Sequence, residues 1–281
     1  MPSTTELLKI STQVRRDIIR MTHGASSGHP GGSLGCADFL TTLYFGVMKP
    51  DPKNFTIDGI GEDLFFLSNG HISPVWYSVL GRYGYFDYHE LGTFRMLNSR
   101  LQGHPSVHEK LPGIRMASGS LGQGLSVACG AALTKKLNKD PRNVFCLMGD
   151  GELEEGQNWE AVMFAVARKV DNLIAIVDEN GQQIDGPTEA IIPQGDLKAK
   201  FEAFGWIVIR MNGNDIADIR EKIALAKVAC CKEKPVMVLM KTSMGFGVDF
   251  MLNDHSWHGV APNDKQAENA LSQLEETLGD Y

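Results

Sequence analysis

Five short apolar runs recur along this chain of 281 residues, and most of them are followed at once by Gly, Asn or Thr: DLFFLS (63–68), VFCLM (144–148), LIAIVD (173–178), WIVIRM (206–211) and VMVLMK (236–241). They are too short for buried helices and read as strands. Because they are apolar at nearly every position rather than at every second one, both faces of each strand must be covered, which is the habit of a parallel sheet. Longer helical stretches separate them: from Pro74 through Leu80, from the loop GSLGQG (119–124) to about Leu137, around Trp159 to Arg168, and from Asp215 to about Lys232. Strands alternating with helices predict an α/β fold, an open, mainly parallel sheet with helices on both faces. At the N-terminus Ser3-x-x-Glu6 forms a capping box that opens an amphipathic helix expected to stop near His23 and Gly24. The small residues that follow, ASSGHPGGS (25–33), read as loop, and the closing LSQLEETLGDY (271–281) as a solvated helix end and tail.

No Pro/Ser-rich linker, charge block or internal repeat marks a boundary, so residues 1–281 are read as a single domain. A chain of this length at 43% hydrophobic and 22% charged residues buries roughly three quarters of its unfolded surface. That excludes disordered, collagenous and disulfide-scaffold classes. The formal charge of −7 argues against a broad grip on nucleic acid or anionic membrane, so any phosphate must be held locally. Cys36, Cys129, Cys146, Cys230 and Cys231 are odd in number and show no CxxC spacing, as reduced thiols would. With no signal-peptide core and no apolar run near 18 residues, the expected location is cytoplasmic.

The unusual residues fall where open α/β sheets bind ligands, just past the carboxyl ends of strands: NGH (69–71), GDG (149–151), ENG (179–181) and TSMGFG (242–247). In GDGELEEGQ (149–157), Gly149 and Gly151 allow a tight turn and close approach, and Asp150 offers a hard carboxylate. The following helix start offers free N–H groups to an anion. One strand-helix-strand unit later stands Asn180. Asp150, the Asn180 amide oxygen and the Gln182 carbonyl can fill one side of an octahedral Mg²⁺ (or a Ca²⁺), with diphosphate oxygens completing it. Taken singly, Gly-Asp-Gly and Asn180-Gly181 are also ordinary turns. His29, His71, His104 and His258 lie in Gly-rich loop words rather than on apolar helix faces. Neutral imidazoles at such places suit proton removal from a hydroxyl near pH 7. His23, His89 and His108 have no such context.

The words ASSGHPGG, FLSNGH, LQGHPS, GSLGQGLS, GDGELEEGQNWEA, VDENGQQIDG, FGW and WHGVAPN follow one another between about Leu8 and Pro262. This series resembles the N-terminal, diphosphate-binding part of transketolase, and GDG followed about thirty residues later by Asn resembles the thiamine diphosphate motif. The resemblance implies the thiamine-diphosphate-binding fold, with Asp150, Asn180 and the Gln182 carbonyl on Mg²⁺, and Gly151 and His71 against the diphosphate. Gly119, Ser120 and Leu121 would meet the aminopyrimidine. Asp178 and Glu155 match acidic positions near the thiazolium and at a dimer interface. His29, His104 and His258 would line the substrate funnel. His255 competes for the last role: the word WHG favours His258, while a His-x-x-His-Gly pattern would assign it to His255. Two departures stand out, Ser120 where many relatives have Pro and Met244 where some carry Lys.

The implied reaction moves a two-carbon ketol (glycolaldehyde) unit from a ketose phosphate to an aldose phosphate, as in the pentose phosphate pathway. The family's pyrimidine-binding and C-terminal domains do not follow here, nor do their activating carboxyl and phosphate-gripping arginines. The chain therefore reads as one subunit of a split transketolase, paired with a C-terminal subunit, two copies of each forming a heterotetramer. A deoxyxylulose-phosphate synthase-like chain, the alpha subunit of a 2-oxo acid dehydrogenase and a noncatalytic cofactor-binding module are the alternatives.

Overall fold

The computed structural model describes residues 2–281 and places five strands in one parallel sheet: β1 (Leu64–Leu67), β2 (Val144–Gly149), β3 (Leu173–Glu179), β4 (Ile207–Asn212) and β5 (Val236–Lys241), in the order β1-β2-β3-β5-β4. Alternate side chains of each central strand enter opposite cores. Phe65, Leu67, Phe145, Leu147, Ile174 and Ile176 pack on one face. Leu64, Phe66, Val144, Cys146, Met148 and Val177 pack on the other. This is why the runs are apolar throughout. β4 departs from that pattern because it is an edge: Ile207, Val208 and Ile209 are only half-buried. Trp206, expected to begin that strand, stands just before it, buried, with its indole N–H donating to the Val162 carbonyl at 3.1 Å.

The register aligns the functional ends. Gly149 of β2 pairs with Asp178 of β3, and Glu179 pairs with Lys241 of β5, so the carboxyl ends share one rim of the sheet. The helices run Thr4–Gly24, Ser73–Tyr83, Gly124–Leu137, Gly156–Ala167 and Ile216–Ala229. Both halves of the Ser3–Glu6 capping box form. Asp215 caps its helix by accepting from Ala217 N at 2.8 Å, and that helix ends at Ala229, short of the expected Lys232. Among the described residues no helix is long and apolar enough to cross a membrane. All the cysteines except Cys231 are buried.

Two segments differ from the sequence reading. Within residues 25–33, expected to be loop, Pro30 begins a buried helix, Pro30–Gly35. Its glycines are poor helix formers, but packing requires them: a Cβ on Gly31 would stand 2.8 Å from both Met244 Cγ and the Trp257 carbonyl, and one on Gly35 3.0 Å from the Ser243 carbonyl. Close backbone approach outweighs propensity here.

The tail is solvated only in part. After the helix Asp264–Gln273 it returns to the N-terminal helix, where Arg16 and Gln13 hold the Asp280 carboxylate at 2.7 and 2.8 Å. Arg20 lies over the Tyr281 ring and donates to its carbonyl at 2.6 Å. Arg82, paired with buried Asp17 at 2.8 Å, also donates to the Gly279 carbonyl at 2.9 Å. Alternation of charge and small residues hides such docking, because its partners lie some 260 residues away.

Candidate active site

Asp150 stands where β2 ends, 5% exposed, and its two carboxylate oxygens accept from Gly151 N at 2.8 Å and Gly181 N at 2.7 Å. Gly181 takes φ +74°, a conformation that favours glycine, and so brings its N–H round to Asp150. Next along the rim, Asp178 accepts from the Thr242 hydroxyl and, at 2.8 Å, from the Asn180 amide nitrogen. This fixes the Asn180 amide so that its oxygen faces the other way, where it accepts from Gln182 N at 2.8 Å. Asp178 itself is buried behind the site and does not line the cavity; it acts as a strut under Asn180.

That cavity, of about 220 Å³, is bordered by Asp150, Gly151, Asn180 and Gln182, with His71, Leu121, Glu155 and His258. A larger hollow of about 580 Å³ lies around Arg20, His23 and Tyr281 and contains none of the sequence-predicted residues. Burial first, and then the neighbouring Asp178 charge, push the Asp150 carboxyl up to about 7. Asp178 is raised as well, chiefly by burial. Among the described residues no Lys or Arg lines this cavity, and Lys241, which shares a neighbouring hollow with Asp150, offsets the two charges only in part.

A divalent cation would supply the missing charge. Among the described residues no three His, Cys, Asp or Glu side chains converge on a metal position. The candidate donor set instead consists of one carboxylate, one amide oxygen and one main-chain carbonyl, that of Gln182, which suits a hard cation completed by a ligand's phosphate oxygens. Beside it, Gly151 sits close under Gln183: a Cβ there would stand 2.9 Å from Gln183 Cγ and would push that side chain aside. The residues fit a metal-bound diphosphate.

The four loop histidines converge. His71 lies 5.1 Å from His29 and 5.1 Å from His258 between ring centroids, and His29 lies 5.9 Å from His258 and 6.4 Å from His104. Burial lowers all of them, His29 to about 4 with further help from His258, so the cluster is neutral at pH 7. The Nδ1 atoms of His29 and His258 are buried without partners in the chain. His255 is exposed in the turn His255–Trp257 and has no place in the cluster. His23 and His89 pair with Asp264 and Asp87 at the surface.

Gly119 takes φ +135°, and a Cβ on it would meet the His104 ring at 3.1 Å, so this loop and the cluster fit closely. Leu121 borders the cavity, whereas Ser120 is exposed. Glu155 is exposed at the start of the helix Gly156–Ala167 and makes no capping bond. Met244 is buried against Gly31, away from the cavity.

Sequence reasoning missed Glu152. Only 2% exposed, it accepts from Gly122 N at 2.8 Å, Gly149 N at 3.1 Å and the Ser68 hydroxyl, and that hydroxyl accepts from Gly124 N at 3.0 Å. One carboxylate thus ties the end of β1, the Gly-Asp-Gly turn and the 119–124 loop together. Its position three residues after Gly149 in an acidic run made it resemble a helix-start carboxylate. Arg95 was missed as well: it stands by His104 in a neighbouring hollow, bonds Ser27 Oγ at 2.6 Å and keeps its Nε buried without a partner.

Residues 9–279 match the family described as "Transketolase, thiamine diphosphate binding domain". The chain belongs to the transketolase family. An apulose-4-phosphate transketolase subunit of Actinobacillus succinogenes is 36% identical over 98% of this chain and 98% of its own length. The 6-deoxy-6-sulfo-D-fructose transketolase subunit SqwG of a Clostridium species is 39% identical over 88% of each chain. Among solved structures, Leishmania mexicana transketolase superposes with a TM-score of 0.89 at 29% identity, covering 100% of this chain and 43% of its own. The Campylobacter jejuni transketolase does so at 0.88 and 32%, with 97% and 43% covered. This transketolase chain therefore spans less than half the length of those solved relatives.

Proposed function

We propose that this chain is the cofactor-holding subunit of a two-chain transketolase, which moves a two-carbon ketol (glycolaldehyde) unit from a ketose phosphate to an aldose phosphate. The observation that carries this reading is the meeting, at one cavity, of the Asp150, Asn180 and Gln182 donor set with the neutral histidine cluster. When bound, thiamine diphosphate supplies a carbon nucleophile that accepts and returns the ketol fragment. Asp150, Asn180 and the Gln182 carbonyl would hold Mg²⁺ (or Ca²⁺), with Asp178 keeping the Asn180 oxygen turned toward it. Gly151 and His71 would approach the diphosphate, and Gly119 to Leu121 the aminopyrimidine. His29, His104 and His258 would bind sugar hydroxyls and move their protons, a task for which neutral rings with free nitrogens are suited.

The relatives support a partner: the Actinobacillus protein carries the name of a subunit and matches this chain over nearly all of both lengths. The partner would carry the pyrimidine-binding and C-terminal domains, including the carboxyl that activates the cofactor. Two copies of each chain, related by two-fold symmetry, would complete a cytoplasmic heterotetramer acting on sugar phosphates of the pentose phosphate pathway. Glu155, exposed at its helix start, would take part in the contact between copies. Mixed with its partner the chain should transfer ketol units between sugar phosphates, and purified alone it should not. Transfer by the single chain would overturn the two-chain reading, and a stable, active one-to-one complex measured by light scattering would overturn the two-plus-two assembly.

A further inference from the structure

His29 and His104 stand on loops far apart in the chain, and their ring centroids come to 6.4 Å of each other. Proton transfer tolerates little misplacement, so the two loops have to be held together. Arg95 lies between them. Its Nη1 donates to the hydroxyl of Ser27, two residues before His29, at 2.6 Å. On the other side the guanidinium lies against Gly103, next to His104: a Cβ there would stand 2.6 Å from Arg95 Nε and 2.8 Å from Nη2, pushing the group away. The backbone is fixed as well. Arg95 takes φ +58°, uncommon for a residue with a side chain, and its N–H donates to the Leu101 carbonyl at 2.9 Å.

The charge of Arg95 is not spent elsewhere. The group is half-buried, and among the described residues the one acid lining its hollow, Glu109, does not pair with it. After burial, Arg95 is what lowers His104; on His29 it acts after burial and His258. The other titratable groups facing these rings and Arg95 are His71, His258, Glu109 and Tyr77, whose hydroxyl is kept protonated by burial. We propose that Arg95 is a positioning residue of the histidine cluster, its guanidinium clamping the Ser27 and Gly103 segments together and setting a fixed positive charge beside His29 and His104. This rests on the reading that those rings move protons of a sugar substrate.

The test uses R95Q, which keeps a donor but no charge, and R95K, which keeps the charge but not the planar fork. In the ligand-free chain, NMR titration should find the His29 and His104 midpoints raised in R95Q and near wild type in R95K. In the enzyme reconstituted with its partner, both variants should lose about 10–100-fold in turnover, with thiamine diphosphate affinity unchanged. A ring that is already protonated accepts no proton, so the acid limb of the kcat/KM profile should move to higher pH in R95Q and stay in R95K. Unmoved histidine midpoints in R95Q overturn the proposal. Turnover lost equally in both variants with an unmoved acid limb does so too, since Arg95 would then be merely structural. A raised KM for the sugar phosphate with kcat retained also overturns it, making Arg95 a substrate ligand. Absence of ketol transfer by the reconstituted wild type overturns the transketolase reading itself, and with it the part of Arg95 in catalysis.

Discussion

Two groups of buried charge in this molecule are built from the same side chains and behave in opposite ways. Where the tail docks, each carboxylate has its guanidinium: Arg82 on Asp17 at 2.8 Å and Arg16 on Asp280 at 2.7 Å, with Arg16 holding Asp280 down at about 2. At the rim of the sheet, Asp150 and Asp178 lie side by side with main-chain amides, the Asn180 side-chain amide and a hydroxyl as partners, and Asp150 rises to about 7. In the first group the electrostatics is satisfied within the fold. In the second it is left open, and an open charge next to a cavity is where a cation belongs. Burial alone does not distinguish a structural carboxylate from a ligand-binding one, since Asp17 is as deeply buried as Asp178; the partners do.

The most severe way to test that contrast is to remove the open partners. Asp150→Ala and Asn180→Ala should each abolish Mg²⁺-dependent thiamine diphosphate binding by calorimetry, since Mg²⁺ tolerates poor geometry badly. Gln182→Ala should change affinity far less, because its main-chain carbonyl is the proposed ligand; equal losses in all three would refute that assignment. Asp150→Asn should bind no better, yet raise the ligand-free thermal midpoint by relieving the like-charge neighbour. A lowered midpoint would place Asp150 with the structural carboxylates.

Next in size come the histidines. In the enzyme reconstituted with its partner, His29→Ala, His104→Ala and His258→Ala should lower turnover on the order of 10²–10⁴-fold where the ring moves a proton, with cofactor affinity retained. His255→Ala should leave turnover near wild type. A larger defect for His255 than for His258 would shift the functional histidine by three residues and break the cluster reading.

The tail clamp should respond in stability alone. Arg82→Ala leaves Asp17 buried without its charge partner, expected to cost about 3–5 kcal/mol in denaturant melts, with thiamine diphosphate affinity of the folded protein unchanged. The smallest effect belongs to Asp280. Because its carboxyl is held below the ordinary 3.8, at about 2, its contribution is present above pH 3.8 and lost as pH falls toward 2. The thermal midpoints of wild type and Asp280→Asn should therefore differ at neutral pH and converge in acid. A gap that persists at pH 2 would show that packing, not charge, holds the tail.

Much of the rim was legible in the sequence because it is written in contiguous words. Phe65 and Phe66 face opposite cores, so a run without polar interruption reports a covered sheet directly. The Gly-Asp-Gly turn, Asn180 and the Gly-rich histidine words sit where such strands end, and strand order does not alter that. What stayed hidden depends on contacts between distant segments. Gly31 and Gly35 are helical because Met244, Ser243 and Trp257 come too close for side chains. Glu152 looks like any first-turn acid until Gly122 and Ser68 close on it. Asp280 seems solvated until Arg16 and Gln13 arrive from the other end of the chain. Asp178 is expected near the thiazolium by resemblance, and its ties to Asn180 and Thr242 appear only in the folded chain.

The spacing of the imidazoles has a consequence for how many protons this site can store. His29 and His71 each titrate in the field of His258 and His104, so a proton taken up by one ring makes the remaining rings poorer acceptors. Coupled groups of this kind take up charge in macroscopic steps that belong to the set rather than to a single ring. At neutral pH the rings are therefore empty together, and charge can enter the cluster only one proton at a time, each proton held making the next harder to add.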